Sequence, residues 1–408
     1  MTPVNGKGTT VVTGVGVVAP NGLGTAAYWD AVLHGRSGIG PLRRFDGSGF
    51  PARLAGEVHD FVPRDHLPGR LLAQTDRMTQ YALAAADRAM SESGAAPSTP
   101  LAGGVITANA SGGFDFGQRE LQHLWGQGPA HVSAYMSFAW FYAVNTGQIS
   151  IRHDLRGPVG VVVTEQAGGL DAIAHARRKV TDGAEMIVTG AVDSALCPYG
   201  MAAQLTSGRL STSDDPTTAY LPFDRRANGH VPGEGGAILV VESAERAASR
   251  DVPVYGEIAG HGTGFDPPPG SGRPSALART VEAALDDARV DASDVAMVFA
   301  DAAAVPALDA AEAEALASVL GPRAVPVTAP KTLTGRLYSG AGPLDVVTAL
   351  LALRDGVVPA TAHVTRADPE LPVDLVLDRP RPARGGVALV VARGFGGFNS
   401  ALVVRRTP

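Results

Sequence analysis

The sequence predicts an α/β protein, and three observations lead there. Short β-branched runs recur between amphipathic helical stretches, the pattern of buried strands alternating with the helices that cover them. The 408 residues exceed what one hydrophobic core usually supports, so two fused domains or a duplicated architecture is expected. The 50 glycines and 30 prolines supply the many tight turns that such alternation needs.

Taken in order, Val11 to Val18 reads as the first strand, and Asn21 to Gly24 turn the chain toward a helix over Ala26 to His34. Asp76 to Ser93 reads as an alanine-rich helix that Gly94 ends, and Gly103 to Ala108 returns as a strand. Val159 to Thr164, Gly168 to Val180 and Met186 to Gly190 read as strand, helix and strand, joined by a sharp turn, and Ala237 to Glu242 closes the first half. The alternation repeats through Val254 to Gly260, Val295 to Ala300, the helical Ala341 to Arg354, and the final strands Val387 to Val391 and Ala401 to Val404. The boundary is placed near Asp251, giving halves 1–250 and 251–408, and Pro267 to Pro274 reads as a mobile surface loop.

Composition excludes several classes of function. A net charge of −6, with no basic run interleaved with aromatics, gives no field for nucleic acid. The single cysteine, Cys197, allows neither an internal disulfide nor a cysteine zinc cage, and the histidines lack metal-ligand spacing, so no metal is expected. Cys197 itself reads as packing. The N-terminus lacks the pattern of a signal peptide and no apolar run approaches a bilayer's span, which points to a cytoplasmic protein with no membrane partner.

Gly14-Val15-Gly16-Val17-Val18-Ala19 fits a dinucleotide-binding glycine fingerprint, but Pro20, Asn21 and Gly22 follow where a helix must open. A buried strand entering a turn fits better. The chemistry-bearing stretch is Val161-Val162-Val163-Thr164-Glu165-Gln166-Ala167-Gly168-Gly169. A strand running into a tight turn at a helix N-terminus is where an activated nucleophile sits, because free amides and the helix dipole stabilise negative charge there. The residue expected at that turn is Gln166.

The segment resembles the nucleophile elbow of β-ketoacyl synthases, with glutamine where that family carries cysteine. VVTGVGVVAPNG, HGRSGI at 34–39, PFDRRANGHVPGEGGA at 222–237 and GFGGFNSA at 394–401 match the same family in order. The resemblance implies a thiolase-like fold, five layers αβαβα built from two similar halves. It also locates the family's two catalytic histidines. Counting back from Asp309 and Pro306 places the first at Asp301, and His261-Gly262-Thr263, about forty residues too early, reads as a surface turn. The second falls at Arg336, in Lys331-Thr332-Leu333-Thr334-Gly335-Arg336. Lys331 is retained, and Phe395 matches the family's gating phenylalanine.

Losing the thiol and both histidines makes autonomous condensation improbable, since neither acyl thioester nor enolate has its partner. These losses, with EQAGGLDA, FAWFYAVNTGQISIRH and PKTLTGRLYSGAGPLD, resemble the chain length factor, or β-subunit ketosynthase, of type II aromatic polyketide synthases. That resemblance implies a heterodimer with a catalytically complete ketosynthase, no bound cofactor, and substrates carried on the phosphopantetheine of an acyl carrier protein. The segment from Ala134 to Ile151 is expected to pack against that partner. It implies a subunit that shapes a tunnel and sets poly-β-ketone length. The alternative is decarboxylation of a malonyl thioester through Gln166, against which Asp301 brings unwanted negative charge. Gly113 to Gln122 reads as a helix with Phe114, Gly117 and Leu121 on one face. By resemblance these three and Phe138 gate the tunnel. Gly117 offers no side chain and Leu121 is smaller than an aromatic, which implies a long backbone, roughly ten or more ketide units.

Overall fold

The computed structural model describes residues 8–268 and 270–407. The signal-peptide reading of the first residues, and Pro269 in the proline-rich loop, lie outside the described residues.

The first half comprises β1 (Thr10–Ala19), α1 (Arg77–Ser93), β2 (Gly103–Ala108), α2 (Phe114–Gln127), β3 (Val159–Val162), α3 (Gly168–Thr181), β4 (Met186–Asp193) and β5 (Gly235–Ser243). The second comprises β6 (Gly256–Phe265), α4 (Leu277–Ala288), β7 (Val295–Phe299), β8 (Pro326–Thr328), α5 (Ala341–Asp355), β9 (Val387–Arg393) and β10 (Phe398–Arg405). The strands run β3-β2-β4-β5-β1 in the first half and β8-β7-β9-β10-β6 in the second. In each, the first two pairings are parallel and the next two antiparallel. One order and one polarity pattern, used twice, define a duplicated architecture. The halves are stitched together where β1 meets β6 antiparallel at Val11–Glu257 and Val12–Gly256.

Helix α1 lies on β1 and β5, and α4 on β6 and β10, while α3 and α5 pack on each other and reach strands of both halves. The order is therefore αβαβα. Three apolar slabs fill the spaces: Tyr81, Ala85 and Val240 under α1, Leu170, Ile173 and Val347 between the sheets, and Leu277, Val281 and Leu389 under α4. Helix α5 is buried on every side from Ala341 to Leu353, as a central layer requires. None of the described helices is long and apolar enough to cross a membrane.

Local sequence explains these elements. Asp76 caps α1 by accepting the Met78 amide at 2.8 Å, and Gly94 ends it in the left-handed conformation. The glycine fingerprint in β1 is a packing device, since a Cβ on Gly16 would lie 1.9 Å from the Ala85 carbonyl oxygen. The alanines of α1 face these glycines because helix and sheet approach closely.

One expectation is corrected. His261-Gly262-Thr263 is not a surface turn but part of β6, where His261 pairs with Leu402 of β10. Its side chain is 8% exposed, with Nε2 3.2 Å from Asp171 and 3.1 Å from Ser400, and so ties α3 to the second sheet. Gly262 mimicked a turn signal, yet it is there because α4 comes so close that a Cβ would meet the Thr280 carbonyl at 2.1 Å.

Candidate functional site

Strand β3 ends at Val162, and a single 3-10 turn, Glu165–Ala167, leads into α3. Glu165 occupies the left-handed region at φ 52°, a costly conformation for a residue with a Cβ, and so the turn is sharp. Gln166 is buried, and its carboxamide oxygen has no hydrogen-bond partner. A cavity of about 310 Å³ opens beside this turn, walled by Glu165, Asp301, Arg336, Phe395, Phe114 and Arg209 among others. Gln166 is not in that wall. The reading that the turn presents Gln166 is corrected: with the chain in the left-handed region at Glu165, the Glu165 side chain faces the cavity. Its carboxylate accepts the Phe395 amide at 2.7 Å, and its carbonyl accepts the Ser339 hydroxyl at 2.8 Å.

The positions counted to Asp301 and Arg336 come together as a buried ion pair. Arg336 Nη2 donates to both Asp301 oxygens at 3.0 and 3.1 Å, and its Nη1 donates to the Asp301 carbonyl at 3.2 Å. The Arg393 amide adds a bond to Asp301 Oδ1 at 2.9 Å. Burial by itself lowers the Arg336 pKa, but the Asp301 charge raises it further, so the guanidinium stays ionised well above the ordinary arginine range. Behind the pair, Glu312 accepts the Asp301 and Ala302 amides at 2.7 and 2.9 Å, while burial, and then the charge of Asp301, raise the pKa of Glu312. Asp301 is therefore no uncompensated negative charge, contrary to the expectation drawn from its identity alone. These two positions therefore offer no imidazole to an enolate or an oxyanion.

Lys331 is buried behind the cavity rather than in its wall, held 2.7 Å from Asp345 and donating to the Ala300 carbonyl. Phe395 stands at the mouth, 53% exposed, with the Arg209 guanidinium 4.8 Å from its ring centroid. Cys197 is buried at a helix start, and burial pushes its thiol up to about 11, which keeps it protonated.

Of the four residues matched to the chain-length gate, only Phe114 lines this cavity, with its ring 5.0 Å from that of Tyr199. Gly117 faces elsewhere, toward Trp140, whose Cβ would lie 3.5 Å from an added methyl. Leu121 and Phe138 are half-buried. They adjoin a patch in which Trp140, Phe141 and Tyr142 are 47%, 39% and 43% exposed. Of the shared face of α2, only its Phe114 end thus reaches this cavity.

Sequence reading passed over Glu165, Arg209, Arg393 and His230, all in the cavity wall. The only signal for His230 is its place in the HVPGEGGA block, whose Glu234 has a separate structural task. Glu234 accepts the Tyr81 hydroxyl and the Val58 amide at 2.9 Å each, and pairs with Arg44.

A duplicated five-layer fold with a strained elbow between β3 and α3 defines a β-ketoacyl synthase, and the chain belongs to that family. Its N-terminal domain matches residues 9–247 and its C-terminal domain residues 255–365. The chain is 61% identical over 400 residues to the tetracenomycin polyketide synthase ketoacyl synthase beta subunit of Streptomyces glaucescens, covering 97% of this chain and 98% of that one. The ishigamide ketosynthase/chain length factor superposes with a TM-score of 0.87 at 28% identity, over 98% of this chain and 100% of that one. A type II polyketide synthase acyl-carrier protein in complex with its ketosynthase, bound to a hexaketide, gives 0.87 at 25% identity, over 98% and 99%.

Proposed function

We propose that this chain is the non-condensing β subunit of a type II polyketide ketosynthase, which joins a catalytically complete ketosynthase and limits how far a poly-β-ketone grows. The observation that carries this reading is the Asp301–Arg336 pair. Two positions that hold imidazoles in a condensing enzyme are here closed on each other, and the elbow has no thiol. Decarboxylative condensation needs a thiolate to carry the chain and imidazole donors at those two positions for the developing oxyanion, whereas the elbow carries no thiol and the two positions are committed to each other. What remains is shape. The exposed aromatic patch beside Gly117, Leu121 and Phe138 supplies a docking face, and residues at its edge reach a tunnel that the partner completes.

In this reading the acyl units arrive on the phosphopantetheine of an acyl carrier protein, the complex works in the cytoplasm, and the halves divide near Asp251. The proposal is supported by the identity to a named beta subunit along nearly the whole chain. Among the described residues no contact favours the malonyl-decarboxylase reading of Gln166, whose side chain is outside the cavity wall.

The test is condensation from malonyl carrier protein by the purified chain alone, by its Gln166→Cys variant, and by the chain with a ketosynthase partner. Carbon-carbon bond formation is expected only with the partner. Condensation by Gln166→Cys alone would show that the ion pair does not stand in the way.

A further inference from the structure

Helix α2 carries three of the residues matched to the chain-length gate, yet little of its own sequence fixes where it stands. Of its 14 residues only Phe116, Gly117 and Glu120 are buried, and it packs chiefly on the short helices Met136–Ala139 and Pro198–Leu205 rather than on a sheet. Its N-terminus has no cap of its own. Gly113 holds the N-cap position without a side chain, and a Cβ there would lie 2.3 Å from the Ala139 carbonyl oxygen and 2.8 Å from the Asp76 Cβ. The cap comes from another helix. Asp76, 2% exposed, accepts the Met78 amide at 2.8 Å through Oδ1 and the Phe116 amide at 2.8 Å through Oδ2. One carboxylate thus caps both α1 and α2, and Phe116, the third residue of α2, is where an N-cap side chain normally bonds. The chain leading into α2 is held as well, by Asp193 on the Ala110 amide at 3.1 Å and by the Trp140 carbonyl on the Gly113 amide at 3.0 Å. Among the described residues, however, no side chain but Asp76 accepts from an amide of the first turn. Because α1 lies on β1, β4 and β5, this bond fixes α2 relative to the sheet.

We propose that Asp76 is the positioning residue of the chain-length gate: by holding the Phe116 amide it sets the register of α2 against α1, and with it how far Phe114, Gly117 and Leu121 stand into the tunnel that the partner completes. A helix rises about 1.5 Å and turns about 100° per residue, so a small slip at its first turn re-aims every residue of the shared face. A fixed wall gives one product length, and a loosened wall gives several. Asp76 acts through α2, since it is buried and outside the cavity wall. The inference rests on the proposed function and adds to it the residue that holds the gate in place.

Asp76→Ser separates the two caps. Serine caps a helix about as well as aspartate, so α1 keeps its start, but a single hydroxyl oxygen cannot also reach Phe116. Asp76→Gly, a substitution that an N-cap tolerates, is the second variant. Ser243→Ala is the control, because it removes the cap that Ser243 provides to the Arg246 amide of the helix Ala244–Ser249 and leaves α2 untouched. In the complex reconstituted with a ketosynthase and a carrier protein, mass spectrometry should find the products of Asp76→Ser spread over two or more lengths, and those of Ser243→Ala at the parent length. Hydrogen exchange of the full chain reads the bond itself: the Phe116 amide should exchange about tenfold faster or more in whichever Asp76 variant folds, with the body of α1 little changed. A single parent length from an assembled Asp76 variant, where Gly117→Thr with Leu121→Phe does shorten the product, overturns the inference and leaves the proposed function standing. If that double variant leaves the length unchanged as well, both fall. Unchanged exchange at Phe116 also overturns the inference, and that measurement needs no assembled complex.

Discussion

At the level of the residue, counting within motifs named Gln166 at the elbow, Asp301, Arg336, Lys331 and Phe395, of which Asp301, Arg336 and Phe395 meet in one cavity wall while Gln166 and Lys331 lie outside it. It did not reveal that Asp301 and Arg336 satisfy each other, because they are 35 residues apart and on separate segments. Nor did it separate Gln166, turned inward, from Glu165, whose left-handed backbone no motif announces. The buried pair has a measurable consequence. Arg336→Met or Asp301→Ala alone leaves a buried charge without its partner and should cost about 3–5 kcal/mol, while the double variant should cost much less than the sum. A urea double-mutant cycle measures this, and additive losses would mean the two charges do not act as a pair. Asp309 makes a pH prediction. Burial raises its pKa from 3.8 to about 8, against the pull of the Phe223 amide that it accepts at 2.8 Å. Between those values the folded chain holds a proton that the unfolded chain has lost, so the contribution is complete at low pH and fades as pH rises toward 8. Asp309→Asn, which does not titrate, should gain stability relative to the parent between pH 5 and pH 8, and a constant difference across that range would refute the assignment.

Among secondary-structure elements, those with strong patterns were legible: β1, α1, β2, α3 and α5 fall where β-branched runs, caps and apolar spacing put them. The helix Pro306–Leu320 was not recognised, because its alanines lie on every side and leave no apolar stripe to separate from a polar one. Val144–His153 was read only as part of an apolar docking segment, yet it is a helix with its own buried face, Asn145, Thr146 and Ile149. The aromatic residues before it are the ones left open. They share the first half with β3, which ends the sheet and pairs only with β2, and whose Val159 is 68% exposed. An apolar edge strand beside exposed aromatics is an aggregation hazard unless a partner covers it. Trp140→Ala with Phe141→Ala should therefore weaken association with the ketosynthase by about 2 kcal/mol, roughly thirtyfold, while making the isolated chain less prone to self-associate. Sedimentation of the mixed subunits reads this directly, and unchanged association would move the interface elsewhere.

Taken whole, the molecule is two copies of one strand order fused at β1 and β6, and the repeated strand-helix alternation in the sequence is the trace of it, although alternation alone fits two fused domains equally well. What the alternation could not convey is which surfaces face a second chain, since surface and core aromatics look alike in a sequence. The fold keeps the frame of a β-ketoacyl synthase, and in the proposed reading the ion pair closes its chemistry and leaves geometry as what the chain contributes. On the proposed function, Gly117 and Leu121 are where that geometry would be open to change. A methyl at Gly117 would make ordinary contact with Trp140, at 3.5 Å, so a modest side chain there fits without breaking α2. The decisive measurement is product length by mass spectrometry from the reconstituted ketosynthase complex carrying Gly117→Thr and Leu121→Phe, against the complex with the unaltered chain. Shorter polyketides at similar turnover are expected, and products of unchanged length from a complex that assembles normally would contradict the claim that this subunit sets the length.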